Sequence, residues 1–233
     1  TAVAAVDEAT QRVTNWFAAF GAALDARDSA AAVELFADAS YWRDLVAFTW
    51  NITTMEGRDA IGAMLDSRLA DTAPSNWRVD GSATASDGVT EAWFGFETAI
   101  ARGKGQIRLQ EDRCWTLLTT MTELKGHEEK SGADRDRGVV HGVVPGRKSW
   151  LEQLDDERAT LGYTQQPYVV IVGGGQGGIG LGARLRRLDV PTIIIEKNER
   201  AGDSWRNRYK SLCLHDPVWY DHMPYLPFPE HWP

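Results

Sequence analysis

Apolar residues at helical spacing open the chain: Val6, Val13, Trp16, Phe17, Phe20 and Leu24 predict one amphipathic helix over the first 25 residues. Asp28 is placed to cap a second, short helix from Ser29 to Phe36, which ends near Ala37-Asp38. Alternation from Tyr41 to Phe48 then predicts a strand, and Ile61, Met64, Leu65 and Leu69 set a third helix. The stretches Trp77 to Val79, Val89 to Ile100, Gln106 to Leu118 and Thr122 to Leu124 read as three or four antiparallel strands. Helices first and strands afterwards indicate an α+β layer fold, placed here at residues 1–126.

Beyond Gly126 the periodicity stops. His127 to Gly138 is charged and contains glycine, which suits a solvated connection, and residues 127–166 are assigned to a linker. Within it, Ser149-Trp150-Leu151-Glu152 is a capping box, so a helix is expected near 150–161, laying Trp150, Leu151 and Leu154 on a neighbouring domain. From Pro167 the pattern is different again. Tyr168 to Val172 is a short β-branched run of the kind that forms a parallel strand buried on both faces. A glycine turn follows, then a helix with Ile179, Ala183 and Leu185 on one side and Arg184, Arg186 and Arg187 on the other. Asp189-Val190-Pro191 breaks that helix, and Thr192 to Ile195 makes a second apolar strand ending in Glu196.

Gly173, Gly175 and Gly178 fit G-x-G-x-x-G, and Glu196 lies near the distance, about 20 residues on, at which an acid takes ribose hydroxyls. The three glycines have separate expected roles. Gly173 makes the tight turn, Gly175 lets the backbone approach a pyrophosphate, and Gly178 lets the helix pack closely on the strand. Free N–H groups near Gln176 and Gly177 would face the phosphates. A carboxylate at Glu196 repels a 2′-phosphate, so the adenosine expected belongs to FAD or NAD rather than NADP, and Lys197 beside it is a further cofactor-binding candidate.

Charge and composition narrow the partners. The chain of 233 residues carries a net charge of -8, which argues against nucleic acid. Cys114 and Cys213 show neither metal-ligand spacing nor a disulfide framework, which fits a reducing cytoplasm. His127 and His141 have no partners at ligand spacing, and His215, Asp216, Asp221 and His222 match no usual zinc pattern, so no metal is expected. No apolar run approaches the roughly 18 residues that a membrane helix needs, and Thr1 to Ala9 lacks the features of a signal peptide. Pro224-x-x-Pro227 sits inside an aromatic segment and is read as part of it rather than as a polyproline ligand.

The segments Phe20 to Asp28, Leu35 to Ala39, Trp42-Arg43-Asp44 and Gly57 to Ile61 resemble the nuclear transport factor two superfamily, which includes ketosteroid isomerases and polyketide cyclases. The resemblance implies a cone-shaped α+β fold with a pocket, and it places Asp44 at the isomerases' catalytic aspartate. Strand alternation puts Asp44 on one face with Trp42, Val46 and Phe48, where desolvation makes a general base. The other readings are that Asp44 caps or pairs with Arg43, Arg113 or another neighbour, or that it is a polar anchor in the pocket. The isomerases' oxyanion-donating tyrosine aligns with Phe20, which lacks a hydroxyl, so steroid-type isomerisation is not expected. Glu111 and Asp112 fall on opposite faces of a strand, so one of them is expected to point inward.

Gly202 to Tyr209, with Ser204 and Trp205, and the tail from Leu212 through His215 to Pro233 resemble two-dinucleotide flavoprotein monooxygenases, including plant indole-pyruvate monooxygenases. Many members have two glycines where this chain has Gly202-Asp203. The resemblance implies the start of an α/β Rossmann-type FAD-binding domain over 167–233, with Trp205 and His215 near the flavin. It further implies an FAD enzyme, reduced by NADPH, that transfers one oxygen atom from dioxygen to a small organic substrate. Two strands and one helix are too few for a doubly wound flavin domain, and no second glycine fingerprint for NADPH is visible, so the chain is read as part of a longer protein and inactive alone. Association through the cone or through exposed strand edges is expected. Two other functions remain open: a nonenzymatic module that binds a ligand or dimerises, and a flavoprotein reductase or oxidase without oxygen insertion.

Overall fold

The structure is a computed structural model that describes residues 2–135, 138 and 142–231, with the side chains of residues 2–7 and 219 outside the description. His141, Trp232 and the side chain of Val6 therefore lie outside the described residues. The chain divides into two compact units, Thr1–Glu128 and Glu129–Pro233.

In the first unit three helices cover one face of a six-stranded sheet. α1 (Ala2–Asp25) follows the predicted periodicity and buries Val13, Trp16, Phe17, Phe20 and Leu24. Asp28 caps α2 (Ser29–Glu34) by accepting the Ala31 N–H at 2.8 Å, and α3 (Gly57–Thr72) buries Ile61, Met64, Leu65 and Leu69. The strands are β1 (Phe36–Leu45), β2 (Ile52–Glu56), β3 (Ser75–Ser86), β4 (Val89–Glu97), β5 (Ala101–Gln110) and β6 (Arg113–Leu124). Their order is β2-β1-β6-β5-β4-β3, with β1 and β6 parallel and the other pairs antiparallel. This is the α+β layer expected, with more strands than the hydrophobic pattern shows.

Three differences have local causes. The second helix stops at Glu34, because Phe36 is fully buried and packs on Trp16, Phe20 and Trp42 as the first residue of β1. The strand expected to end at Phe48 ends at Leu45, and β2 returns along it from Ile52. The run from Gln106 to Leu118 is two strands joined by a tight turn at Glu111-Asp112, where Glu111 has φ 54°. Neither acid points inward: both are exposed, and Asp112 lies 3.6 Å from Arg12.

Aromatic side chains fill the space between sheet and helices. Trp16, Phe20, Phe36, Trp42, Phe48, Phe94 and Phe96 are all buried and form one contiguous set with Trp77. Close approach at β5 makes this possible: a Cβ at Gly105 would lie 2.3 Å from the Phe94 ring, and one at Gly103 would lie 2.3 Å from the Phe96 ring. At the end of the unit Arg102 bridges Glu123 and Glu128, and its hydrogen bond holds the Glu128 carboxyl down to about 2.

In the second unit the capping box at Ser149 and Glu152 starts α4 (Trp150–Thr160) as predicted. Trp150 and Leu151 are exposed and Leu154 is half-buried. β7 (Val169–Val172), α5 (Gln176–Arg187) and β8 (Thr192–Ile195) form a βαβ unit with parallel register from Val169↔Thr192 to Val172↔Ile195. The arginines of α5 do more than face water. Arg184 pairs with Glu129 at 3.1 Å, Arg186 pairs with Glu157, and Asp189 just beyond the helix pairs with Lys130 at 2.7 Å. Glu129, Lys130 and Glu157 are thereby tied by charge to α5 and the turn that follows it. Among the described residues no helix is long and apolar enough to cross a membrane.

Candidate functional site

The glycine turn between β7 and α5 is built as its sequence spacing requires. Gly173 continues the strand ladder through its N–H to Ile195 O at 2.7 Å, and its φ of 109° is a conformation that side chains rarely adopt. A Cβ at Gly178 would lie 1.9 Å from the Gly173 carbonyl oxygen and 3.3 Å from Ile171 Cγ2. Helix and strand are therefore in contact through a position that only glycine fits. Gly182 extends the same contact, since a Cβ there would meet Ile194 Cδ1 at 2.8 Å, and the glycine triad does not reveal it.

Gly175 is the N-cap of α5 and offers no side chain to the helix end. The first bond of the helix runs from Ile179 N–H to Gly175 O at 2.9 Å, so the amides of Gln176, Gly177 and Gly178 have no acceptor within the helix. Gln176 and Gly177 are exposed. Three such amides together with the positive end of the helix dipole attract an anion.

Glu196 stands at the end of β8 and reaches back to the turn. Its Oε2 accepts the Gly174 N–H at 2.6 Å, while Oε1 accepts the Asn198 backbone and side-chain N–H groups at 2.9 and 2.6 Å. Those bonds, the Asn198 backbone first and then Gly174, lower the Glu196 carboxyl below its ordinary value. Three of about four lone-pair positions are occupied, which leaves the ionised carboxylate room for a further donor. Lys197, next to it, is exposed.

The segment after β8 closes on the same turn. Gly202 N–H donates to Gly174 O at 2.8 Å with Gly202 at φ 85°. The position where many members of the resembling family have a second glycine is buried Asp203, at the start of the one-turn helix α6 (Asp203–Arg206). Its carboxylate pairs with Arg206 at 2.8 Å and Arg200 at 3.1 Å, and these bonds, Arg206 first, lower its pKa. Ser204 Oγ lies 3.3 Å from where a Gly175 Cβ would be. Asn198, Arg200 and Asp203 carry no motif of their own, and only their nearness to Glu196 in sequence marks them.

A cavity of about 750 Å³ runs beside α5, from Gln176 and Gly177 toward Leu214, Met223 and Phe228. Trp205 lines it, 41% exposed, with the Arg208 guanidinium 5.7 Å from its ring. His215 is exposed and stands outside this lining. The tail is held on α5 by Tyr225, whose hydroxyl lies 3.1 Å from Arg184 and whose ring carries the Arg184 guanidinium at 4.7 Å. Tyr225 has φ 64° between bridged Met223 and Leu226, so Pro224 to Pro227 is a turn and not a polyproline helix. Among the described residues no three His, Cys, Asp or Glu side chains converge as a metal would need.

Asp44, the candidate base of the first unit, has a different role. It is completely buried and accepts four hydrogen bonds: from Phe48 N–H at 3.0 Å, Thr49 N–H at 2.9 Å, Thr49 Oγ1 at 2.8 Å and Thr119 Oγ1 at 2.8 Å. Trp42 Nε1–H in turn donates to Thr119 Oγ1 at 2.9 Å. Of the three readings the cap is the one the hydrogen bonds fit, because the chain leaves β1 after Leu45 and folds its own amides onto the carboxylate. Both oxygens are engaged by the protein itself, and Phe20 is fully buried among aromatic rings. Cys114 is also buried, which pushes its thiol well above the ordinary value, and Cys213 is exposed.

Comparison with known proteins gives the chemistry of the relatives. The chain is 39% identical over 71 residues to the indole-3-pyruvate monooxygenase YUCCA1 of Oryza sativa, covering 30% of this chain and 18% of that protein. The similarity is to oxidoreductases. An uncharacterised CzcO-like oxidoreductase of Geobacillus kaustophilus is 39% identical over 56 residues, 24% of this chain and 16% of its own. The probable indole-3-pyruvate monooxygenase YUCCA7 of Arabidopsis thaliana is 44% identical over 62 residues, 26% of this chain and 14% of its own. The chain thus spans less than a fifth of the length of these relatives. No protein-family model matches it. Solved structures with a likeness include a protein from Sphaerobacter thermophilus, with TM-score 0.36, 17% identity and coverage of 46% of this chain and 94% of that one. Another is an NTF2-like protein with a cystatin-like fold from Novosphingobium aromaticivorans, with TM-score 0.37, 16% identity and coverage of 49% and 82%.

Proposed function

We propose that this chain is part of an FAD- and NADPH-dependent monooxygenase that acts on a small organic substrate, and that its βαβ unit holds the adenosine diphosphate part of FAD. The observation that supports this most is Glu196, anchored to Gly174 N–H at 2.6 Å beside three amides of α5 that lack helical acceptors. A carboxylate and an anion-attracting helix end, fixed to each other by the same turn, match the two ends of an adenosine diphosphate. The residues fit the group: Gly173, Gly175 and Gly178 leave the turn free of side chains, Gln176 and Gly177 present their amides, and Glu196 keeps an acceptor for ribose hydroxyls.

FAD, when bound, supplies the redox chemistry, with NADPH as reductant and one atom of dioxygen delivered to the substrate. The chain's own residues bind and orient. Ser204, through its place against Gly175, keeps α6 on the phosphate side of the turn, and Trp205 offers an apolar wall beside the helix start. Lys197 and His215, both exposed, are assigned to the outer rim of the same site. The first unit is assigned binding or association rather than catalysis, because its interior is packed with aromatic rings and its buried carboxylate is saturated. Val172, 86% exposed, and Ile195, 54% exposed, lie on the face of β7–β8 away from α5, and this apolar surface favours association with further protein.

Glu196→Ala should weaken FAD retention by the full-length protein. Adenosine diphosphate should bind at least about tenfold more tightly than its 2′-phosphorylated form, and the substitution should erase that preference, because the repelling charge is gone. Calorimetric titration with both nucleotides checks this, and equal affinities in the unsubstituted protein would overturn the assignment of Glu196. The depressed Glu196 pKa adds a pH dependence. Its stabilising bonds are complete above the unfolded value of 4.5 and are lost as pH falls through the lower folded value, so the turn should loosen only on the acid side. NADPH consumption with and without substrate separates a monooxygenase from a reductase or oxidase.

A further inference from the structure

The loop that leaves β8 at Glu196 is closed on itself by Asp203, a carboxylate that adenosine diphosphate does not need to touch. Asp203 is 8% exposed, and its Oδ1 accepts both Arg206 Nη1–H at 2.8 Å and Arg200 Nε–H at 3.1 Å. Its Oδ2 accepts the Arg200 backbone N–H at 3.3 Å, and the Asp203 N–H returns to the Arg200 carbonyl at 3.3 Å. Two guanidinium groups thus share one carboxylate oxygen. Arg206 has a further acceptor in the Ala201 carbonyl at 2.9 Å, whereas the Arg200 side chain, 69% exposed, has Asp203 as its one partner among the described residues. Arg200 also stands near the ribose end of the site. A Cβ at Gly174 would lie 3.0 Å from Glu196 Oε2 and 3.2 Å from Ala201 Cα, so the Glu196 carboxylate and the residue next to Arg200 flank one point on the turn, within the reach of an arginine side chain.

We propose that Asp203 is a specificity-determining residue: by holding Arg200 it withholds the cation that would receive a 2′-phosphate, so the site takes adenosine with a free 2′-hydroxyl. The inference rests on the adenosine diphosphate reading of the βαβ unit and adds a second determinant to it. Glu196 repels a 2′-phosphate by its own charge, and Asp203 acts through Arg200. An arginine near the ribose is the group that accommodates a 2′-phosphate in dinucleotide folds, because its planar fork presents paired N–H groups to phosphate oxygens. Bound to a buried carboxylate, Arg200 has its charge matched and its Nε–H already donated. Released, it would still stand on a loop whose ends are fixed without Asp203, at Glu196 through Asn198 and at Gly202 through the Gly174 carbonyl. Loss of the Asp203 charge therefore frees the guanidinium without freeing the loop.

The test is calorimetric titration of the full-length protein, freed of flavin, with adenosine diphosphate and with its 2′-phosphorylated form. Asp203→Asn keeps the shape of the side chain and removes its charge. It should bind the 2′-phosphorylated form about fivefold more tightly than the parent does, while affinity for adenosine diphosphate changes by less than about twofold. On a Glu196→Ala background, where the preference is erased, Asp203→Asn should invert it, and Arg200→Ala added to both should cancel the inversion. The gain should fade as salt rises, because the freed charge is exposed. A purely structural role for Asp203 would weaken both nucleotides together and leave their ratio unmoved. That unmoved ratio in Asp203→Asn, or in Asp203→Gly if the asparagine variant does not fold, would overturn the assignment of Asp203. A parent that fails to bind adenosine diphosphate would overturn the flavin reading and this inference with it, so adenosine diphosphate alone tells the two failures apart.

Discussion

Gly178→Val should abolish FAD binding in the full-length protein and disorder the turn that holds it. A Cβ at this position would stand 1.9 Å from the Gly173 carbonyl oxygen, and backbone, unlike the end of a side chain, has nowhere to turn. To make room α5 must lift from β7, which carries the Gln176 and Gly177 amides away from Glu196. Overpacking of this kind costs about 1–3 kcal/mol or more, which corresponds to a loss of roughly a hundredfold in nucleotide affinity even where the unit stays folded. Gly142→Ala, in the exposed segment before α4, is the control. A Cβ there meets nothing within 4 Å, so FAD content should remain close to that of the parent. Flavin released on denaturation, measured per chain, reads both variants.

Asp44→Ala should be the most damaging polar substitution in the first unit. It removes four accepted hydrogen bonds at once and leaves the Phe48 and Thr49 amides and two threonine hydroxyls facing a hole in a fully buried site. Each unsatisfied buried donor costs about 1–3 kcal/mol, partly offset by relief of strain at Val46, so a net loss of about 4 kcal/mol is expected. For a unit of this size that lowers the thermal midpoint by more than about 10 °C. Thermal unfolding followed by near-ultraviolet circular dichroism gives the number, and a shift of only a degree or two would mean that the loop is held by something other than this carboxylate. Asp44→Asn should lose less, because its carbonyl oxygen still accepts while its amide hydrogens have no acceptor on the loop.

The parts of the molecule that the sequence makes legible are those where one residue type has one physical use. The apolar runs at Val169 to Val172 and Thr192 to Ile195, the glycines between them, and Glu196 at the second strand's end predict a βαβ unit whose register the structure then fills in. The first helix and the Ser149 capping box are equally direct, since helical spacing and side-chain caps act locally. What fails is segmentation where a turn lacks its usual residues. Glu111 turns the chain at φ 54° and Val46 at φ 62°, and neither is a glycine, asparagine or aspartate that would announce it. β2 and the division between β5 and β6 are therefore hidden. The role of Asp44 depends on the same blind spot: alternation places it correctly on the buried face with Trp42, but the donors that saturate it come from a loop read as strand. Likewise, the clasp of Gly202 and Asp203 on the glycine turn needs contacts between segments that no periodicity encodes.

The flavin content of the full-length protein, purified without added cofactor, tests the central assignment most directly. About one FAD per chain is expected, released intact on denaturation, and a colourless protein when Gly175→Val puts a side chain into the turn where the pyrophosphate is expected. A Gly175→Val protein that folds and retains one FAD per chain would contradict the placement of the site, and a folded full-length parent that neither carries nor takes up FAD would contradict the function.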